Sequence, residues 1–294
     1  MNIFIFPNLR KTNCKEYVVK ACDVLLKNGC KVFIETVYKD VFSNLDDVLF
    51  DDAANCIKEC DAVVAVGGDG TILKCAIDCA RNNKPVLGIN CGRLGFMASL
   101  EHTQIESLDR LVKGEYSLSR RMLICAEITD KSGEVSSFTA LNDVVVSKSD
   151  KCKIVDFEVS RNGQLISSLR ADGIIFSTPT GASAYSMSAG GPIIEPGMEC
   201  IEFTQICPHS LFARTMIFST DSIITATSHT VAGNCTNVVV DGNKVYKLND
   251  NDILTIKRSD DHVEIIDING DSFFTSVNKK LMQPLKEFPG GDQA

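Results

Sequence analysis

Over the first hundred residues, apolar and polar positions alternate between two periods. NIFIF (2–6), KVFIE (31–35), AVVAV (62–66) and KPVLGIN (84–90) are short, nearly continuous apolar runs, the pattern of strands covered on both faces. Between them, KEYVVKACDVLLKNG (15–29), DDAANCIKEC (51–60) and TILKCAIDCARNN (71–83) place apolar residues three and four apart, which predicts amphipathic helices; Gly29 closes the first. Strand and helix in alternation predict a doubly wound parallel sheet.

After HTQIESLDRLVKG (102–114) the period shortens to two. LICAEITD, TALNDVVVS, VDFEVS-RNG-QLISS, GIIFST, DSIITAT, TNVVVDGNKVYKL and DILTIKR are rich in β-branched residues and separated by turn residues. The expected fold is therefore an α/β domain over residues 1–100 and a β-rich, two-sheet domain over 101–265. Residues 266–294 would return to the first domain and end in a short polar tail. A ligand cleft is expected between the two domains.

The 294 residues, 44% of them apolar, suffice for two cores. A net charge of −8 without a Lys/Arg run argues against nucleic acid as a partner, so any phosphate must be held by backbone N–H groups and a few placed cations. Thirteen scattered cysteines show no C-x-x-C spacing; Cys56/Cys60 and Cys75/Cys79 are i,i+4 pairs that read as helix packing. The four histidines are too dispersed for a metal cluster. No apolar stretch reaches membrane-spanning length, and the five-residue run near the start is too short for a signal peptide. With many unpaired thiols, this predicts a cytoplasmic protein with no membrane partner.

GGDGT (67–71) follows the AVVAV strand and opens the next helix, at the carboxyl edge of the expected sheet, where open α/β folds bind ligands. Glycines there admit phosphate oxygens to the backbone. A carboxylate beside phosphates is repulsive, so Asp69 needs a reason: it accepts the proton of an attacking hydroxyl, or it helps hold Mg²⁺ across phosphate oxygens. An Asp-Gly turn without chemistry is the plain alternative for the motif alone. Further on, ADGIIFSTPTGASAYSMSAGGPIIEP (171–196) combines small and hydroxyl residues with Tyr185, a composition suited to close contact with a purine ring.

In order along the chain, GGDGT (67–71), INCGRLGF (89–96), LNDVVV (141–146), DGIIFSTPTGASAYSMSAGGPI (172–193), CPHSL (207–211) and VVVDG (238–242) resemble the motifs of the NAD kinase family. The resemblance implies transfer of the ATP γ-phosphate, with Mg²⁺ or a similar divalent ion, to the 2′-hydroxyl of the adenosine ribose of NAD⁺. It implies that Asp69 is the catalytic base with Gly70 its loop partner, that Lys74 reaches phosphate, and that Asn142 and Asp143 bind nucleoside edges. Asp143 stands where the family usually has Glu, one methylene longer.

By the same resemblance, Arg170 and Asp172 are the basic and acidic positions just ahead of the STPTG stretch, and Asp172 contacts the nicotinamide amide, in some members from a neighbouring subunit, which implies a homodimer or homotetramer. Thr180, Ser183, Ala184, Tyr185 and Ser188 hold the adenine, with Ser186 and Met187 among them in the site. Lys153 stands where some members carry a basic nucleotide contact, Asn243 after Asp241-Gly242 is either a further contact or part of a hairpin turn, and no side chain is assigned as a metal ligand. Two alternatives remain: a lipid kinase of the diacylglycerol or sphingosine type, which shares GGDGT, and a dinucleotide-binding sensor without turnover.

Overall fold

A computed structural model describes residues 1–92, 95–149, 154–210, 213–230, 236–270, 273 and 276–278, with the backbone alone at 244 and 245. Five parallel strands form its first layer: β1 (Asn2–Pro7), β2 (Lys31–Glu35), β3 (Val48–Asp51), β4 (Ala62–Gly67) and β5 (Val86–Asn90), ordered β5-β4-β1-β2-β3. Every residue of β4 is buried, as its unbroken apolar run requires. On the faces lie α1 (Cys14–Lys27), α2 (Ala53–Glu59) and α3 (Asp69–Arg81). α1 turns Val18, Ala21, Cys22 and Leu25 inward at helical spacing. The Asp52 side chain caps α2 by accepting from Asn55 N at 2.8 Å.

This strand order decides where a ligand fits. From β1 the chain moves outward through β2 to β3, then returns to the other side of β1 at β4 and continues to β5. The loops leaving β1 and β4 therefore diverge, and the crevice between them lies at the carboxyl ends of adjacent strands.

β6 (Leu100–Glu101) and α4 (Leu108–Lys113) lead into the β-rich half. It contains β7 (Ser117–Thr129), β8 (Val135–Ala140), β9 (Asp143–Lys148), β10 (Val155–Arg161), β11 (Gln164–Ala171), β12 (Gly173–Ser177), the short α5 (Tyr185–Ser188), β13 (Ile201–Ile206), β14 (Met216–Phe218), β15 (Ile224–His229), β16 (Thr236–Val240), β17 (Asn243–Leu248) and β18 (Ile253–Asp267). Six of these strands form an antiparallel sheet, β14-β13-β12-β9-β16-β17. It packs on the remaining strands through a core in which Phe157 and Ile124 face Val144, Phe176 and Phe203, the last two stacked at 5.4 Å. Two hairpins, β10–β11 and β16–β17, have positive φ at Asn162 and Gly163 and at Asp241 and Gly242, as primed two-residue turns require.

Three features differ from the sequence expectation. TALNDVVVS is two strands: the chain leaves the larger sheet after Ala140 and enters the smaller one at Asp143, because the intervening N–H groups bond to the side chain of Asp241. The strand expected at DILTIKR runs on to Asp267, antiparallel to β7 from Ile253↔Thr129 to Asp267↔Ser117, with a register shift between Arg258 and His262. It ends parallel to β5 at Ile265↔Val86, so the larger sheet is one continuous array of 12 strands. Residue 265, the expected boundary, thus falls inside β18, and Val263 and Ile265 already share a core with Phe4 and Ile72. Among the described residues no helix is long and apolar enough to cross a membrane.

Candidate active site

The crevice between the β1 and β4 loops is an open cleft of about 530 Å³ lined by Asn8, Lys11, Gly67 to Thr71, and Asn90. Gly67 leaves no room for a side chain: a Cβ there would lie 2.1 Å from Thr71 Oγ1, the atom that accepts from Asn8 Nδ2 at 3.2 Å. Gly70 is unobstructed, with nothing within 4 Å of where a Cβ would stand, so its backbone is open to a ligand.

Asp69 begins α3 and is locked to the loop after β5. Its Oδ2 accepts from Phe96 N at 2.7 Å and its Oδ1 from Met97 N at 3.2 Å. Gly95 makes this possible, since a Cβ on it would lie 1.8 Å from Asp69 Oδ1. The carboxylate is thereby fixed in orientation, with lone pairs left over toward the cleft. Asn90, almost fully buried, shapes the same loop by accepting from Gly92 N at 3.1 Å. Asn8 and Lys11 were not among the sequence candidates. Their signal was positional: PNLRKTN leaves the central strand β1, beside the strand that carries GGDGT.

A second pocket, about 440 Å³, is reached by Leu73 of α3. Around it stand Asn142, Asp143, Ala184, Tyr185 and Asp241. Asp143 is only 6% exposed, and burial pushes its carboxyl up to about 7, with the charges of Asp241 and Glu202 adding to the effect. Among the described residues no donor reaches that carboxyl. Asn142 Oδ1 and Thr180 Oγ1 are likewise buried without a hydrogen-bond partner. Unsatisfied buried polar atoms are costly, and Asn142 Oδ1 on this pocket suits a ligand that supplies the missing partner.

The Ser/Thr/Gly stretch wraps this pocket. Gly181 passes so close to the chain that a Cβ would lie 2.0 Å from the Asn142 carbonyl oxygen. Ser183 donates to Thr180 O at 3.2 Å, Tyr185 is 46% exposed, Met187 is half-buried and Ser188 is exposed. Ser186 is turned inward: fully buried, it is 2.6 Å from Glu202 Oε1 and 2.8 Å from Thr204 Oγ1, and so braces the loop from behind. Burial holds Glu202 above the usual carboxylate range.

Lys74 is exposed on α3, beside Leu73. Asn243 is exposed at the start of β17, its Nδ2 3.5 Å from Asp241 O. Arg170 makes a two-pronged surface pair with Asp156, at 2.7 and 3.0 Å. Asp172 accepts from Lys148 Nζ at 2.6 Å. It precedes Gly173, whose strand partner is Ser147, so it lies at the Ser147 end of the second pocket, away from Asp143 along β9. Lys153 lies outside the described residues.

Residues 3–116 match the ATP-NAD kinase N-terminal domain and residues 141–268 match the ATP-NAD kinase C-terminal domain. A NAD kinase of Caldanaerobacter subterraneus subsp. tengcongensis is 32% identical over 283 residues, covering 95% of this chain and 98% of the relative. One from Lachnoclostridium phytofermentans is 35% identical over 258 residues, covering 85% and 90%. The fold matches a yeast NADH kinase solved with NADH, at a TM-score of 0.88 and 20% identity over 98% of this chain and 89% of that one. It also matches a NAD kinase from Archaeoglobus fulgidus solved with ATP, at 0.69 and 21% over 95% and 97%. Neither the lipid kinase nor the non-catalytic sensor gains support from these matches. The chain belongs to the NAD kinase family.

Proposed function

We propose that this enzyme transfers the γ-phosphoryl group of ATP to the 2′-hydroxyl of the adenosine ribose of NAD⁺, giving NADP⁺ and ADP. The observation that carries the reading is Asp69: a carboxylate oriented by two backbone N–H groups at the mouth of a glycine-lined cleft, on the helix whose Leu73 lines the second pocket. Asp69 takes the proton of the attacking hydroxyl, while Lys11, Lys74 and the Gly68–Gly70 backbone hold phosphates. Asn142, Asp143, Thr180, Ala184 and Tyr185 hold the adenosine. Asp143 accepts from a ribose hydroxyl, and its shortened side chain sets how deeply the sugar sits.

Among the described residues no three His, Cys, Asp or Glu side chains are placed to hold a metal on their own. The cleft still fits Mg²⁺, which keeps water and phosphate oxygens as ligands and needs one or two carboxylates. Asp69 is the cleft carboxylate that would hold it, and the ion would supply charge neutralisation on the phosphates. The described cysteines are all free thiols, in keeping with the reducing cytoplasm we assign to the protein. Assembly as a homodimer or homotetramer belongs to the same reading, with Asp172 and Arg170 serving the nicotinamide end.

Incubating the purified protein with ATP, Mg²⁺ and NAD⁺ and measuring NADP⁺ tests the reaction, with diacylglycerol and sphingosine as control acceptors. No NADP⁺ from folded protein would overturn it.

A further inference from the structure

Asp241 has no role in the chemistry above, yet it is bonded to the pocket more densely than any ligand-facing residue there. It sits at the tip of the β16–β17 hairpin with φ 46°, followed by Gly242 at φ 79°. Its Oδ2 accepts from Leu141 N at 2.9 Å, and its Oδ1 from Asn142 N at 2.8 Å and Asp143 N at 3.1 Å. Its own N–H donates to Asp143 O at 3.0 Å. Four hydrogen bonds thus join one residue to the three-residue crossing between the sheets. Three consecutive amides converging on one carboxylate form a small anion nest, with the anion supplied from about a hundred residues away.

The carbonyl side of the crossing is held independently. Thr178 Oγ1 donates to Leu141 O at 2.5 Å and Thr178 N to Asn142 O at 2.9 Å. Carbonyls anchored on one side and amides on the other hold in place the backbone from which Asn142 and Asp143 line the pocket.

We propose that Asp241 is the positioning residue of the nucleoside pocket: by clamping the Leu141–Asn142–Asp143 amides it aims the two side chains that receive NAD⁺. This rests on the reading of Asn142 and Asp143 as ligand contacts. It has an electrostatic consequence as well. Asp241 and Glu202 are the charged groups that face Asp143, one from the hairpin tip and one from β13, and both oppose its ionisation. Removing the Asp241 charge lets Asp143 ionise at lower pH.

Asp241→Asn and Asp241→Gly test the proposal, because both residues tolerate a positive φ and keep the hairpin turn. Asn keeps one acceptor oxygen but turns an amide donor toward the clamp; Gly removes the clamp. Calorimetry with NAD⁺, steady-state kinetics and hydrogen exchange of residues 141–143 are read together. The expected result is an NAD⁺ Kd raised about tenfold in the Asn variant and about 100-fold in the Gly variant, with faster exchange at the crossing and a smaller change in kcat. In the Asn variant the pH below which NAD⁺ affinity declines moves down, a change that loosened packing alone would not produce. If the Gly variant does not fold, the Asn variant decides by the same readouts.

Wild-type NAD⁺ affinity in the folded variants overturns the proposal. Asn142→Ala and Asp143→Ala separate the two levels. If these weaken NAD⁺ and the Asp241 variants do not, the positioning role alone fails; if neither weakens it, the reading of the pocket fails with it.

Discussion

Asp69 is held by backbone N–H groups rather than by a charged side chain, so Asn in its place keeps the shape and one of the two hydrogen bonds while losing the ability to take a proton. Asp69→Asn should lower kcat by about 10²- to 10⁴-fold and leave the calorimetric NAD⁺ affinity near wild type; a near-normal kcat would remove Asp69 from the proton transfer. Gly95→Ala tests the same geometry from the other side. Its methyl would occupy the space of Asp69 Oδ1, and displacing a reacting group by about 1 Å can cost on the order of 100-fold in rate. An unchanged rate in that variant would show that the carboxylate tolerates relocation.

Asp143 gives a pH dependence with two opposite signs. Its carboxyl is raised in the folded state, so the protein binds an extra proton on folding, and this group's contribution to stability is full below the ordinary carboxylate range and is lost as pH rises through about 7. Binding runs the other way, because only the ionised form is a pure acceptor for a ribose hydroxyl. Asp143→Asn should therefore raise Tm at pH 8 and not at pH 4, while NAD⁺ affinity in the wild type weakens as pH falls below about 7. Thermal scans at the two pH values and calorimetry across the range measure both. A Tm difference independent of pH would mean that Asp143 is not buried as a titrating acid.

At the scale of elements, β18 does the work of two strands. One end pairs with β15 in the β-rich half, and the other lies against β5, with Ile265 buried beneath α3. Ile265→Ala removes buried methyl and methylene groups at a site walled by strands and should cost about 2–5 kcal/mol in denaturant unfolding. Because α3 carries Asp69 and rests on this strand, kcat should fall as well. A loss below 1 kcal/mol would show that the end of β18 is not integral to the first core.

For the whole molecule, a 12-stranded sheet shared by both halves couples their unfolding. Urea melts followed by far-UV circular dichroism and by NAD⁺ binding should coincide in one transition, and two separated midpoints would show that the halves fold independently. If the enzyme assembles with Asp172 reaching a neighbour's site, inactive Asp69→Asn and Asp172→Ala subunits should recover activity on mixing, since some composite sites then hold both intact residues. No recovery between folded, exchanging subunits would place Asp172 in its own subunit's pocket or outside the site.

Local elements and the chemistry at their ends are legible in the order of residues alone. The apolar period marks β1, β2, β4 and β5 and their helices, turn residues mark the breaks between the later strands, and GGDGT falls at a strand's carboxyl end because strand, turn and helix are local signals. What tertiary structure alone decided depends on pairing across long separations. That Lys11 faces GGDGT follows from β1 lying next to β4. The TALNDVVVS run is cut because Asp241, about a hundred residues on, takes its amides. Ser186 braces Glu202 instead of facing the pocket, and β18 joins the halves, because burial and register are set by partners that no local pattern names.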